Sequence, residues 1–252
     1  MIKFGRCLLR CLLFGGIAVG VTVNWVFFVF LTGCRRNHVA LSYVLNRWAR
    51  ATAWVAGCQV KVIGTRPAHG MCVSNHVSYL DIPAHGSTGP ALLVSKHDVL
   101  YWPIFGQLAY MCGTLFIKRE KKGDVANVGQ QMEDVMKMNV PLIVFPEGTS
   151  SDGREVLPFK SSLFQPAIEH QWPVTPMWIG YELADGSVER EVAYYGDMTM
   201  FPHLLNLFTK RGLRATIIYG EPITDAKNRK ELCRRAHEAV VKLSEDRGPR
   251  SN

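Results

Sequence analysis

Short apolar runs and longer segments with helical spacing alternate along most of the chain. Runs that alternate between apolar and polar residues, or that are apolar throughout, are typical of β-strands. They occur at 59–64, 70–74, 91–95, 114–118, 140–145, 174–181 and 215–219. Segments of helical character separate them, at 39–56, 98–109, 123–139, 161–170, 204–209 and 227–245. This order predicts an α/β domain in which a mixed, largely parallel sheet is flanked by helices.

The N-terminal segment is uncharged from Cys11 to Cys34. At about 1.5 Å per residue it is long enough to cross the hydrocarbon core of a bilayer, so it is a candidate membrane helix. A secretory signal is the alternative, because basic residues precede the run and residues 31–34 resemble a lipoprotein cleavage box. The run is longer than a typical signal core, and Arg35 and Arg36 follow it directly. We therefore favour the membrane helix.

Basic residues lie on both sides of this run, so charge gives no orientation across the membrane. They are Lys3, Arg6 and Arg10 before it, and Arg35, Arg36, Arg47 and Arg50 after it. The same pattern fits a helix hairpin that dips into one leaflet. The helical spacing of 39–56 fits an interfacial amphipathic helix and equally fits an ordinary helix packed on the following domain. We predict membrane-anchoring helices at 1–57, the α/β domain at 58–246 and a frayed tail at 247–252.

Composition narrows the choice of partners for this chain of 252 residues. A net charge of +8 suggests an anionic partner, such as phosphate-bearing lipid, nucleic acid or an acidic substrate. The basic residues are spread out, so nucleic acid is not specifically indicated. The cysteines are odd in number and lack metal-ligand spacing, which predicts buried or membrane-embedded thiols rather than disulfides or a zinc site. They are Cys7, Cys11, Cys34, Cys58, Cys72, Cys112 and Cys233.

His76 and Asp81 form the first candidate chemical site. Their spacing separates them on a regular helix or strand, so they meet only if the backbone bends, as where a strand runs into a helix. Pro83 fits the first turn of such a helix. The imidazole could then act as a general base that the carboxylate orients. A pair with this spacing is more often structural, with Asn75 and Ser78 serving as helix caps.

No Gly-x-Ser-x-Gly nucleophile motif occurs in the chain. A hydroxyl activated by His76 would therefore belong to the substrate, which implies direct transfer without a covalent enzyme intermediate. The remaining histidines, His85 and His203 among them, have no second feature beside them in sequence. We predict that they are surface or core residues.

Two other strand ends carry candidate ligands. Lys118 and Arg119 follow a predicted strand and suit a phosphate, although the charge run that continues beyond them also fits a solvated strand end. Glu147, Gly148 and Thr149 place a carboxylate and a hydroxyl in a turn after the apolar strand 140–145. Ligands of α/β sheets lie at the carboxyl ends of strands, so His76 and Glu147 are predicted to share one site.

Together these segments resemble the glycerolipid acyltransferases of the lysophosphatidic acid acyltransferase type. The likeness covers roughly residues 70 to 180 and rests on four blocks in family order. They are Asn75-His76 to Asp81, Gly113 to Arg119, Phe145 to Thr149, and Val174-Thr175-Pro176.

The resemblance implies that His76 is the general base and Asp81 its partner. It implies that Arg119, beside Lys118, contacts the acceptor phosphate. It further implies that Glu147, Gly148 and Thr149 help to bind the acceptor, and that Pro176 shapes the acyl-donor side. The domain at 58–246 would be the catalytic domain.

The resemblance also implies the partners of the reaction. The donor would be acyl-CoA or acyl carrier protein, with no metal and no redox cofactor. The acceptor would be a lysolipid in the membrane. We expect no nucleic acid partner, and we expect the protein on the cell (inner) membrane with its catalytic domain on the cytoplasmic side.

Ser150 marks a departure from the family pattern, because many members selective for lysophosphatidic acid carry arginine there. Arg154 or Lys160 could replace that cation, or the acceptor could differ. The first hypothesis is transfer to the sn-2 hydroxyl of 1-acyl-glycerol-3-phosphate, giving phosphatidic acid. The alternative acceptor is another lysolipid such as lyso-ornithine lipid. A protein of another class, which binds anionic lipid without catalysis, is disfavoured because binding alone needs no histidine–aspartate pair.

Overall fold

A computed structural model describes residues 2–32, 37–117 and 130–246 of the chain. Within them a seven-stranded sheet has the order β1-β7-β6-β2-β5-β3-β4. The strands are β1 (Cys58–Ile63), β2 (Met71–Ser74), β3 (Leu92–Lys96), β4 (Leu115–Ile117), β5 (Leu142–Val144), β6 (Val174–Leu183) and β7 (Leu213–Tyr219). All neighbouring pairs are parallel except β6 and β7, which are antiparallel. The predicted mixed, largely parallel sheet is confirmed.

Helices connect the strands in the predicted alternation. They are α1 (Ile2–Thr32), α2 (His38–Ala56), α3 (Asp81–Ser87), α4 (Phe105–Met111), α5 (130–136), α6 (Gln165–Glu169), α7 (Val188–Glu191), α8 (Met200–Thr209) and α9 (Arg229–Glu245). The stretch 98–109 is broken, as Trp102-Pro103 predicts, into a 3₁₀ helix at His97–Tyr101 and α4. Of the helix predicted at 123–139, the part before residue 130 lies outside the described residues.

The two faces of the sheet bury different helices. Side chains of α5, α6 and α9 pack on one face, against residues such as Val73 and Val144. Side chains of α1, α2, α3 and α4 pack on the other, against residues such as Ile143 and Met177. Strand residues alternate between the faces, which accounts for the continuous burial of β2 and β5.

Helix α2 packs directly on the α/β domain. Leu45, Trp48 and Ala49 are buried in the core, whereas Arg47 and Arg50 are exposed. A methyl group on Gly86 of α3 would lie 2.8 Å from the Ala49 side chain, so the two helices approach closely. The sequence left open whether this segment is an interfacial helix or a helix packed on the domain, and its buried face fits the packed helix.

Helix α1 lies along the domain for part of its length. Arg6 donates to the carbonyl of Thr209 at 2.6 Å, and Arg10 donates to the carbonyls of Phe208 and Lys210 at 3.1 and 2.8 Å. These carbonyls lie at the end of α8, where cations are favourable. The outward side of α1 is apolar, and the stretch Ile2–Leu31 is long and apolar enough to cross a membrane by length and composition. Gly33 and Cys34 of the possible cleavage box lie outside the described residues.

Candidate active site

The backbone bends between β2 and α3, as the spacing of His76 and Asp81 requires. The bend brings His76 Nδ1 within 2.6 Å of Asp81 Oδ2. A carboxylate accepts, so Nδ1 carries the proton in this contact. Nε2, on the far side of the ring, is then the nitrogen that can accept a proton. The His76 side chain is 21% exposed, which leaves that edge within reach of a ligand.

Asp81 is completely buried and accepts four hydrogen bonds. Oδ2 accepts from His76 and from the backbone amides of Val77 at 2.7 Å and Ser78 at 3.1 Å. Oδ1 accepts from the hydroxyl of Tyr181 at 2.6 Å. A buried carboxylate is costly unless it is hydrogen-bonded, and these four donors provide that stabilisation.

Tyr181 lies on β6 and was not predicted as a site residue. Burial and the nearby Asp81 raise the pKa of its phenol well above the usual value, so the hydroxyl remains a donor. The available signal was modest. Met177, Ile179 and Tyr181 alternate along β6, and a tyrosine at the end of such an apolar series often bonds a buried group.

Asn75 does not cap a helix, contrary to one interpretation of the sequence. Its amide nitrogen donates to the carbonyl of Ile179 at 2.9 Å, and its oxygen accepts from the Ile179 amide at 2.8 Å. Asn75 thereby continues the pairing of β2 with β6 past the end of β2. The catalytic candidate His76 follows directly on this anchored residue.

The ring of Phe145, the first residue after β5, stacks on His76, with centroids 4.3 Å apart and an interplanar angle of 22°. The amide of Ser151 donates to the carbonyl of His76 at 2.9 Å. The loop after β5 therefore supports the imidazole from its ring face and its backbone. Because β5 and β2 are adjacent and parallel, their carboxyl ends meet here, as predicted.

Glu147 is turned into the protein, with 3% of its surface exposed. Oε1 accepts from the amide of Leu157 at 3.2 Å, and Oε2 is buried with no hydrogen-bond partner among the described residues. Burial raises the pKa of Glu147 to about 8, and the backbone amides of Leu157 and His76 offset only part of that rise. Its carboxyl is thus a neutral, inward-facing group at neutral pH.

The other predicted site residues are placed differently. Gly148 has a φ of 74°, which favours glycine, and Thr149 beside it is exposed. Pro176 is buried within β6 opposite Val73, and by alternation it faces α9 rather than the histidine. Lys118 and Arg119 lie outside the described residues.

Ser150 forms a hydrogen bond with the segment that follows α7. Its hydroxyl donates to the carbonyl of Tyr194, and the amide of Tyr194 donates to the carbonyl of Val77 at 2.9 Å. Arg154, nearby in sequence, forms ion pairs with Glu189 and with Asp152. Of the two cations considered as substitutes for the missing arginine, Arg154 is therefore matched by two carboxylates, whereas Lys160 is exposed.

His85 is a buried core residue, as predicted. Its Nε2 lies 3.1 Å from the hydroxyl of Ser74, and burial lowers its pKa to about 4. His203 lies 2.8 Å from the hydroxyl of Tyr79 through Nδ1. Among the described residues, no cluster of three or more histidine, cysteine, aspartate or glutamate side chains could hold a metal ion. The six described cysteines are free thiols.

Comparison with known proteins gives consistent results. The family model described as Acyltransferase matches residues 59–180. A lyso-ornithine lipid O-acyltransferase from Pseudomonas aeruginosa is 36% identical over 78% of this chain and 76% of the relative. One from Rhizobium meliloti is 32% identical over 80% of this chain and 75% of the relative. A 1-acyl-sn-glycerol-3-phosphate acyltransferase from Neisseria gonorrhoeae is 30% identical over 54% of each chain.

The fold has a counterpart among solved structures. The crystal structure of the 1-acyl-sn-glycerophosphate (LPA) acyltransferase PlsC from Thermotoga maritima matches with a TM-score of 0.69 and 22% identity. The match covers 100% of both chains. The N-terminal helices and the sheet are thus a shared architecture.

Replacing Glu147 by glutamine tests its neutral, buried state. The folded protein holds the proton of Glu147 up to a pH of about 8, whereas the unfolded chain loses it near 4.5. The free energy of unfolding therefore falls as pH rises between those two values, because the unfolded state binds fewer protons than the folded state. Glu147→Gln should remove that loss, gaining on the order of 3 kcal/mol relative to wild type at pH 7.

The measurement is the free energy of urea unfolding in detergent at pH 5, 6, 7 and 8. The control is Glu155→Gln, which alters an exposed carboxylate of the following loop. If the free energies of unfolding of wild type and Glu147→Gln differ by the same amount at every pH, Glu147 is charged in the folded protein.

Replacing Tyr181 by phenylalanine tests the support of Asp81. Loss of this donor leaves Oδ1 of a buried carboxylate unsatisfied, which should lower the free energy of unfolding by about 1–3 kcal/mol. Tyr43→Phe, on the exposed side of α2, should change it by less than about 0.5 kcal/mol. Equal stability of the two variants would refute the role of the phenol.

Proposed function

The chain belongs to the acyltransferase family, and from that premise we propose that it transfers a fatty acyl group from an acyl thioester to the free hydroxyl of lyso-ornithine lipid. The observation that carries the choice of acceptor is Ser150. Its hydroxyl is bonded to the carbonyl of Tyr194, at the position where many relatives selective for lysophosphatidic acid carry arginine. Two relatives aligned over at least three quarters of both chains also bear the name lyso-ornithine lipid O-acyltransferase.

Charge near Ser150 supports the same acceptor. Arg154 is matched by Glu189 and Asp152, so its charge is already balanced. A phosphate monoester would need cations that are not committed to carboxylates. An ornithine headgroup contains no phosphate and presents an amino group and a carboxylate, which suit a site of mixed charge.

Transfer to 1-acyl-glycerol-3-phosphate is the second candidate. It is favoured by the block Gly113 to Arg119, whose cations suit a phosphate, and by the net charge of +8. The relative from Neisseria gonorrhoeae carries that name but aligns with a smaller part of this chain.

In the proposed mechanism, His76 Nε2 takes the proton of the acceptor hydroxyl while Nδ1–H remains on Asp81. The hydroxyl oxygen attacks the thioester carbonyl and forms the new ester bond as the carbon–sulfur bond breaks. The departing thiolate receives the proton from the imidazolium. The proposed steps involve no acyl-enzyme, and we propose that they need neither a metal nor a redox cofactor.

The donor in this proposal is acyl-CoA or acyl carrier protein, and the acceptor is a lipid held in a bilayer. Both donors are made in the cytoplasm, so we place the catalytic domain on the cytoplasmic side of the cell (inner) membrane. The apolar helix α1 supports membrane association.

Replacing His76 by alanine tests the proposed base. It should lower kcat for acylation of lyso-ornithine lipid at least about 100-fold, because alanine lacks the ring nitrogen that takes the proton of the hydroxyl. His69→Ala is the control, since His69 is exposed ahead of β2 at the other edge of the sheet. Circular dichroism should show both variants folded. Retention of most of the rate by His76→Ala would refute the assignment.

Replacing Ser150 by arginine tests the acceptor. The guanidinium suits a phosphate, and the contact with Tyr194 is lost, so kcat/KM for lyso-ornithine lipid should fall about tenfold relative to 1-acyl-glycerol-3-phosphate. Ser150→Ala is the control that removes the hydroxyl without adding charge. Both acceptors are assayed side by side with acyl-CoA and acyl carrier protein. A wild-type preference for 1-acyl-glycerol-3-phosphate would refute our choice of acceptor.

A further inference from the structure

The turn between the 3₁₀ helix and α4 presents four consecutive apolar or aromatic residues, Tyr101, Trp102, Pro103 and Ile104. We call it the 101–104 tip. Tyr101 is 71% exposed and Ile104 is 60% exposed. Large side chains with this much exposure, side by side, usually mark an interaction surface.

The backbone of the tip is strained at Ile104. Its φ and ψ are 68° and −55°, and the amide of Phe105 donates to the carbonyl of Pro103 at 2.8 Å. These values define a γ-turn of the rare type with positive φ, which is unfavourable for a β-branched residue. The turn therefore holds an isoleucine outward at a cost in stability.

The surrounding contacts hold this turn in place. The amide of Gly106 donates to the carbonyl of Trp102 at 2.9 Å. A methyl group on Gly106 would lie only 2.2 Å from the carbonyl oxygen of Leu100, so the chain folds tightly back on itself. The tip is a fixed projection rather than a free loop.

The tip lies between α1 and the candidate active site. Phe105 stacks on Phe14 of α1, with ring centroids 5.8 Å apart, so the tip adjoins α1 four residues beyond Arg10, near the start of its uncharged run. Trp102 contacts Tyr194 with centroids 6.5 Å apart. Tyr194 in turn is bonded to Val77 of the loop that carries His76.

We propose that the 101–104 tip inserts into the interfacial region of a lipid bilayer. We choose a bilayer as the partner because the tip is continuous with α1, whose outward side is apolar and whose length suits a membrane. Tyrosine and tryptophan favour the headgroup level, and an isoleucine beside them reaches the acyl chains. The tip would then set the catalytic loop against the surface from which the acceptor comes. This rests on the proposed acylation of a membrane lipid.

Photo-crosslinking tests the contact without turnover. Tyr101 is replaced by benzoylphenylalanine, and the full chain is placed in vesicles of phosphatidylethanolamine and phosphatidylglycerol with a fluorescent phospholipid. We expect at least about fivefold more lipid label at position 101 than in a control with the same group at Met138, which is exposed after α5.

Equal labelling at the two positions would overturn the proposal. Capture of added lysolipid with no capture of the phospholipid would also overturn it, because the tip would then line the acceptor pocket. The crosslinking measurement does not depend on conversion of the acyl donor or the acceptor by the enzyme. A failure of the proposed function would appear only in the activity assays.

Ile104→Gly adds a second measurement. Glycine accepts the positive φ, so the thermal unfolding midpoint in detergent should not fall. Loss of the apolar side chain should raise the KM for vesicle-borne acceptor, expressed as mole fraction, about tenfold relative to wild type. A lower midpoint with unchanged KM would assign Ile104 a purely structural role and contradict the proposal.

Discussion

The buried carboxylate of Asp81 is the group on which the site depends. It has no exposed surface and accepts from four donors, which come from the loop after β2 and from β6. Removing any of these donors leaves part of a charge without compensation in a medium of low dielectric constant. The requirement to satisfy one carboxylate therefore fixes the tautomer of His76, the shape of the loop and the position of Tyr181 at the same time.

The sheet order makes this convergence possible. β5, β2 and β6 are adjacent and parallel, so the segments that follow β2 and β5 emerge at one edge, beside Tyr181 of β6. Asn75 pairs with Ile179, and Phe145 stacks on His76. A base held by neighbours on two strands loses little further freedom when a substrate binds. The topology thus provides the preorganisation that general-base chemistry needs.

Local pattern was sufficient to predict the elements and the meeting of His76 with Asp81. The strands are buried and bounded by turns, and a pair at this spacing can meet only across a bend. Tyr181 was beyond prediction because it is 100 residues from Asp81 in sequence, and only the pairing of β6 with β2 brings them together. The strained turn at Ile104 was equally hidden, since nothing in Trp-Pro-Ile indicates a positive φ. Arg6 and Arg10 were identified from sequence only as charges that flank the apolar run, whereas in the structure they donate hydrogen bonds to carbonyls at the end of α8.

Two carboxyl groups lie near the imidazole, and their surroundings separate their roles. Among the described residues, the hydrogen-bond partners of Asp81 are all donors, which suit an ionised carboxylate. In the part of the chain that the structure describes, one buried oxygen of Glu147 has no hydrogen-bond partner, and burial raises the pKa of Glu147 to about 8. In the proposed proton transfer, Asp81 would stabilise the imidazolium of His76, because a neutral Glu147 adds no second negative charge there. When the surroundings of two carboxyl groups move their pKa values apart in this way, chemically similar residues can have different roles in one site.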